Sequence, residues 1–201
     1  MKYNGRTVLL CIIAEALNFI SAYIFLDTLH LPLFMDTIFT VAITFYCGLV
    51  PGIVVAILYN VIATLTLVMR GFTFEIYAVL FAICGVLVAL TIWFFARRRE
   101  NFQINTAITS LYLVLIALVS SLLAVFSGGT IDYIRYSLAD LPDRMAPIKN
   151  FTDAFRDQNF PLYASCILGQ LPISFLDRIV TTFSGYGVYR LMVRLFGEER
   201  W

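Results

Sequence analysis

Charge is scarce in this chain of 201 residues: Asp, Glu, Lys and Arg together make up 13%, against about 25% in an ordinary soluble domain. Hydrophobic residues reach 61%, more apolar surface than a soluble core of this length can bury. A soluble enzyme, a disordered chain, a collagen-like repeat and a disulfide-stapled secreted domain are all excluded. Histidine is nearly missing, with His30 alone, so a His-dependent triad or His-ligated metal is hard to assemble. Cysteine is limited to Cys11, Cys47, Cys84 and Cys166, with no CxxC spacing, which points to reduced buried thiols rather than a zinc site. No metal or cofactor is expected. Fourteen basic and thirteen acidic residues leave a net charge of +1, with no field that would draw nucleic acid. Lipid is the expected solvent.

Long apolar runs are present in abundance, and a bilayer-spanning helix needs about 20 apolar residues. The runs predict an all-α polytopic membrane protein, a single domain over 1–201. Six transmembrane helices are expected, over about 7–27, 35–50, 51–69, 74–96, 105–126 and 171–194. Lys2 and Arg6 precede the first run and Ala14-Glu15-Ala16 mimics a cleavage site, but apolar sequence resumes at Phe19-Ile20, so a retained helix is expected. Pro51-Gly52 predicts the break of a helical hairpin, and Arg70-Gly71 its close. Gly48/Gly52, Gly85/Ala89 and Ser120/Ala124 place small residues at the four-residue spacing that allows close helix contact.

The segment 127–160 is too long for a plain connection. Ile131, Ile134, Leu138 and Leu141 recur at helical spacing with Asp132, Arg135 and Asp140 between them. That pattern predicts an amphipathic extracytoplasmic helix lying on the membrane or across the mouth of the bundle, entered through a flexible Gly128-Gly129. Its role is either a lid or a surface-hugging connector. The positive-inside rule places Lys2, Arg6, Arg97–Arg99, Arg190, Arg194 and Arg200 on the cytoplasmic side. Both termini are therefore expected inside, with the chain in the cell (cytoplasmic) membrane.

A few polar residues interrupt the spans, and each needs a partner or an aqueous cavity. Glu15 and Asn18 share a face of the first helix and either line a polar cavity, meet a partner subunit or fix packing. Asn60 sits midway along the third helix, where interhelical bonding is the commoner role. Asp36 lies at the outer end of the second helix and either caps it or faces a ligand. Adjacent Asp177 and Arg178 point about 100° apart. One of them faces the bundle interior, with Asp177 favoured and Gln170 on a similar side. Tyr77 or Tyr163 would hold a flat-ring ligand near the outer end. Asp36, Tyr163, Gln170 and Asp177 are thus the candidate substrate-binding residues.

Phe34-Met35-Asp36-Thr37-Ile38-Phe39-Thr40, then Gly48-Leu49-Val50-Pro51-Gly52 and Asn60, resemble the substrate-binding S components of energy-coupling-factor transporters. Leu171-Pro172 with Leu176-Asp177-Arg178-Ile179-Val180 and Tyr186-Gly187-Val188-Tyr189-Arg190 resemble them too. The resemblance implies a non-enzymatic membrane subunit that captures a vitamin or similar micronutrient from outside. It also implies partners, a transmembrane coupling protein and two ATPases that drive uptake. The family docks through an Ala-xxx-Ala face on the first helix; here Ala14 is followed four residues later by Asn18, with Glu15 adjacent. The competing expectation is an S-component-like sensor or assembly protein acting through a partner helix. A membrane-embedded enzyme lacks a nucleophile–base or metal-ligand set.

Overall fold

The computed structural model describes residues 5–71, 76–97, 105–138 and 146–198, with the backbone alone at Ile76 and Ala146. Their regular structure is all α: α1 (Gly5–Ala22) with a π-helical continuation (Tyr23–Thr28), α2 (Ile38–Cys47), α3 (Leu49–Met69), α4 (Ile76–Leu80), α5 (Ala82–Ala96), α6 (Thr106–Leu138), α7 (Ala146–Asp157) and α8 (Leu162–Phe196). Four helical stretches are long and apolar enough to cross a membrane: Gly5–Thr28, Leu49–Met69, Tyr77–Ala96 and Thr106–Leu138. They carry apolar side chains outward, among them Leu9, Ile12, Leu65, Phe94, Leu111 and Leu122, as a membrane-embedded protein requires. The second and sixth expected spans do not join them. α2 has only ten residues, and α8 is diluted by Gln170, Asp177, Arg178 and Arg190.

α2 is the hub. It packs on α1, α3, α5 and α8, and nine of its ten residues are buried. Around it the others follow in the order α1, α3, α5, α6 and α8, each packed on the next. Phe45 of α2 meets Tyr186 and Tyr189 of α8 with ring centroids 5.4 Å apart. Gly85 of α5 lets α3 approach closely, since a Cβ there would lie 3.0 Å from Ala56 Cβ. The chain turns between α2 and α3 at Gly48, whose φ is +93°. The expected break at Pro51-Gly52 is displaced: both residues lie in the first turns of α3, where proline costs no helical hydrogen bond.

The start of α1 and the end of α8 meet at one end of the bundle. Arg6 donates to the Tyr46 hydroxyl at 2.9 Å and to the Phe196 carbonyl at 3.2 Å, and the Tyr46 hydroxyl donates to the Gly197 carbonyl at 3.1 Å.

The largest departure from expectation is at 127–160. Gly128-Gly129 open no flexible segment: α6 runs through them to Leu138. Glycine serves close approach there, because a Cβ on Gly129 would lie 2.8 Å from Ile167 Cα of α8. The helical spacing of Ile131, Ile134 and Leu138 is real, but only Ile131 is buried. Leu138 is 66% exposed, whereas Asp132 and Arg135 are buried against the bundle. Asp140 and Leu141 fall outside the described residues. A separate short helix, α7, follows and packs on α8.

Candidate functional site

α2 rises only about 15 Å at about 1.5 Å per residue, so it fills the centre of the bundle over part of its depth. Beyond its N-terminal end lies a cavity of about 760 Å³, within the range of small-molecule sites, about 300–1,000 Å³. The π-helical turn after α1 brings Tyr23, Leu26 and Asp27 to its wall, and such turns recur at functional sites. α3 contributes Tyr59, Asn60 and Thr64, α6 contributes Gly128 and Arg135, and α8 contributes Gln170, Ser174 and Arg178. The cavity is therefore at the end of the bundle opposite the Arg6–Tyr46–Phe196 contacts.

The segment 29–37 returns into the bundle without regular structure and carries Asp36 and Thr37 to the wall. Met35 adopts φ +49°, a left-handed conformation rarely taken by a side-chain-bearing residue. Two polar residues hold it: Asp177 Oδ1 accepts the Met35 N–H at 2.9 Å, and Ser21 Oγ donates to the Met35 carbonyl at 2.6 Å. Arg178 then spans the site. Its Nη1 donates to Thr37 Oγ1 at 2.6 Å, and its Nη2 lies 3.4 Å from Asp177 Oδ2 and 4.0 Å from Asp36 Oδ1. Earlier on the same face of α8, Gln170 Nε2 donates to Asp132 Oδ2 at 2.6 Å, and Ser174 Oγ donates to Gln170 Oε1 at 3.3 Å.

Comparison with protein families, curated proteins and solved structures gives no match. The site must speak for itself.

Of the residues expected to bind substrate, Asp36 and Gln170 line the cavity. Asp177 is fully buried, but behind the wall, where it anchors Met35 and Arg178. Arg178 is the member of that pair on the wall itself. Tyr163 stands apart at 46% exposure, with its hydroxyl near that of Thr130 and its ring edge-on to Tyr133. Tyr77 is not part of the wall either. Asn60 lines the cavity while donating to the Ala56 carbonyl of its own helix.

The face of α1 considered for docking or packing is turned inward. Ala14 belongs to the core with Ile43, Tyr46, Cys47 and Val55. Asn18 donates to Thr40 Oγ1 at 2.9 Å and accepts the Phe39 N–H at 2.9 Å, fastening α1 to the start of α2. Glu15 is buried with neither carboxyl oxygen hydrogen-bonded. The four cysteines are buried and form no disulfide, and among the described residues no group of three His, Cys, Asp or Glu side chains converges to hold a metal.

Sequence reasoning passed over Arg135, Thr37, Thr40, Thr64 and Phe81, all on the wall. The signal for the threonines was present in part: Thr37, Thr40 and Thr44 recur at helical spacing and form a polar stripe on an otherwise apolar helix. Arg135 was visible but assigned to the wrong face.

Proposed function

We propose that this chain is a membrane-embedded substrate-binding protein of the S-component type, which captures a small micronutrient for energy-coupled uptake. One observation carries the reading: a partly open cavity of about 760 Å³ between the helices, with charged side chains among the polar and apolar residues of its wall. Intramembrane charges mark solute paths or sites when they face a cavity, and Asp36 and Arg178 do.

In this reading α1, α2, α3, α4 with α5, α6 and α8 form the six-helix unit expected of such a subunit. Arg6, Arg97, Arg190 and Arg194 belong to the end of the bundle away from the cavity. The positive-inside rule then puts that end, and both termini, in the cytoplasm. The cavity faces outward, where a solute would be met, in the cell membrane. The protein performs no chemistry on its solute, and transport requires a transmembrane coupling protein and ATPase subunits. The sensor or assembly reading has less support, because Asn18, central to its partner-binding face, is engaged with α2.

The test is to purify the full chain in mild detergent from its own host and identify released small molecules by mass spectrometry. Co-purification should recover a micronutrient in near-stoichiometric amount, and pull-down should recover ATPase subunits. A protein that is consistently empty and brings down no ATPase refutes the proposal.

A further inference from the structure

Among the described residues, the wall of the cavity carries Arg70, Arg135 and Arg178 with Asp27 and Asp36. At the rim, Arg70 lies over the Tyr23 ring at 5.7 Å and shares the wall with Asp27. On α6, Arg135 stands on the wall three residues after Asp132, which is buried on the same helix face. At the third position two carboxylates, Asp36 and Asp177, share a single guanidinium, that of Arg178. Asp177 is occupied behind the wall by the Met35 N–H. Asp36 is the one on the wall, and its buried Oδ1 has no hydrogen-bond donor. Among the described residues, acceptors without a hydrogen-bond partner outnumber donors here: Asp36 Oδ1, Asp132 Oδ1 and Asp177 Oδ2 against Arg178 Nε. A buried carboxylate persists when something positive or donating meets it.

We propose, on the capture reading above, that the solute is an organic cation: a protonated amine on an apolar ring body, its charged nitrogen set against Asp36. The ammonium N–H supplies the bond that Oδ1 lacks and gives the Asp36–Asp177 pair a second cation beside Arg178. The body then lies among Phe19, Phe34, Tyr59 and Phe81, whose ring faces also attract a cation. An anion would meet Asp36 with like charge, while Arg178 is already committed to Thr37 and two carboxylates. A bare metal ion would leave most of the cavity unfilled and finds no cluster of three ligating side chains among the described residues.

Three probes of nearly equal size separate the possibilities: phenethylamine, phenethyl alcohol and hydrocinnamate, which at neutral pH are cationic, neutral and anionic. Binding to the full chain in detergent is read by thermal stabilisation as each is titrated. The amine should bind at least about tenfold more tightly than the alcohol, and hydrocinnamate more weakly still. Asp36→Asn should erase the preference for the amine, while Asp36→Glu should keep it; melting of the unliganded variants reports whether each folds. Equal or tighter binding of the alcohol or hydrocinnamate overturns the inference, as does an amine that fails to bind or a preference that survives in a folded Asp36→Asn variant. A neutral or anionic solute co-purifying with the protein would sink the cation and leave capture standing, whereas an empty protein would remove both.

Discussion

Replacing Asp177 with alanine tests how the site is held together. The carboxylate is fully buried, accepts the Met35 N–H at 2.9 Å and lies 3.4 Å from Arg178 Nη2. Removing one partner of a buried ion pair costs about 3–5 kcal/mol, mostly because the other charge is stranded. The lower end applies here, since Arg178 keeps Thr37 at 2.6 Å and Asp36 at 4.0 Å. The Met35 N–H is orphaned as well, at about 1–3 kcal/mol. Asp177→Ala should therefore lose about 4–6 kcal/mol, a large part of a typical stability of about 5–15 kcal/mol.

Asp177→Asn separates the two contributions, because its amide oxygen can still accept from Met35 while the charge is gone; about 3 kcal/mol is expected. Adding Arg178→Met to the alanine variant removes the stranded cation and should recover about 1–3 kcal/mol. Mixed-micelle SDS titration followed by circular dichroism measures all four proteins. Limited proteolysis at 29–37 gives a local readout, since the strained Met35 backbone is released when its acceptor goes. An Asp177→Ala variant within about 1 kcal/mol of the parent, or a double variant whose losses simply add, refutes this account of the pair.

Other substitutions probe the frame and the void. Gly129→Ala should destabilise by about 1–3 kcal/mol, because its Cβ would meet the Ile167 backbone at 2.8 Å and backbone cannot step aside. Gly187→Ala, with nothing within 4 Å of the new Cβ, should gain about 0.5–1 kcal/mol, and the opposite signs in one SDS titration are the check. Asn18→Ala should cost about 2 kcal/mol by leaving the Phe39 N–H and Thr40 without their partner, with denaturant unfolding as the measure. Ala63→Trp places a large ring on the cavity wall, and should cut co-purified solute more than about tenfold while moving the melting temperature little.

How far the sequence could be read depended on which partner each apolar or polar face would meet. The runs at 7–27, 51–69, 74–96 and 105–126 correspond to helices apolar enough to cross a membrane, because a long apolar run has few alternatives. The run at 35–50 did not reveal that Ile38–Cys47 is a ten-residue helix enclosed by four others. Apolar composition suits lipid and protein interior equally. The stretch from Ile131 to Leu138 misled for the same reason: its period is helical, but a period names two faces without saying which is buried. Asp132 and Arg135 turn inward because Gly128 and Gly129 bring α8 close enough to cover them. Asp36 and Gln170 were found at the cavity because polar residues in apolar runs have few places to go. The division of labour between Asp177 and Arg178 required the backbone of Met35, sequence-distant by more than a hundred positions.

The shortness of α2 ties these features together. A full-length helix at the centre of the ring would fill the bundle and leave no site. With ten residues, α2 spans about half of the roughly 30 Å hydrocarbon thickness, and the chain before it must return into the bundle as irregular backbone. Such backbone is tolerated at membrane depth only where protein or an aqueous cavity satisfies it. Asn18, Ser21 and Asp177 do so, binding the Phe39 N–H, the Met35 carbonyl and the Met35 N–H. These three polar residues are accounted for by the path of the backbone. Asp36 and Arg178 are not: they face the space that the short helix leaves, and each keeps a buried atom without a hydrogen-bond partner. Structural need thus absorbs most of the polar side chains around α2, and among those it leaves over is a charged pair on the wall of a cavity large enough for a solute.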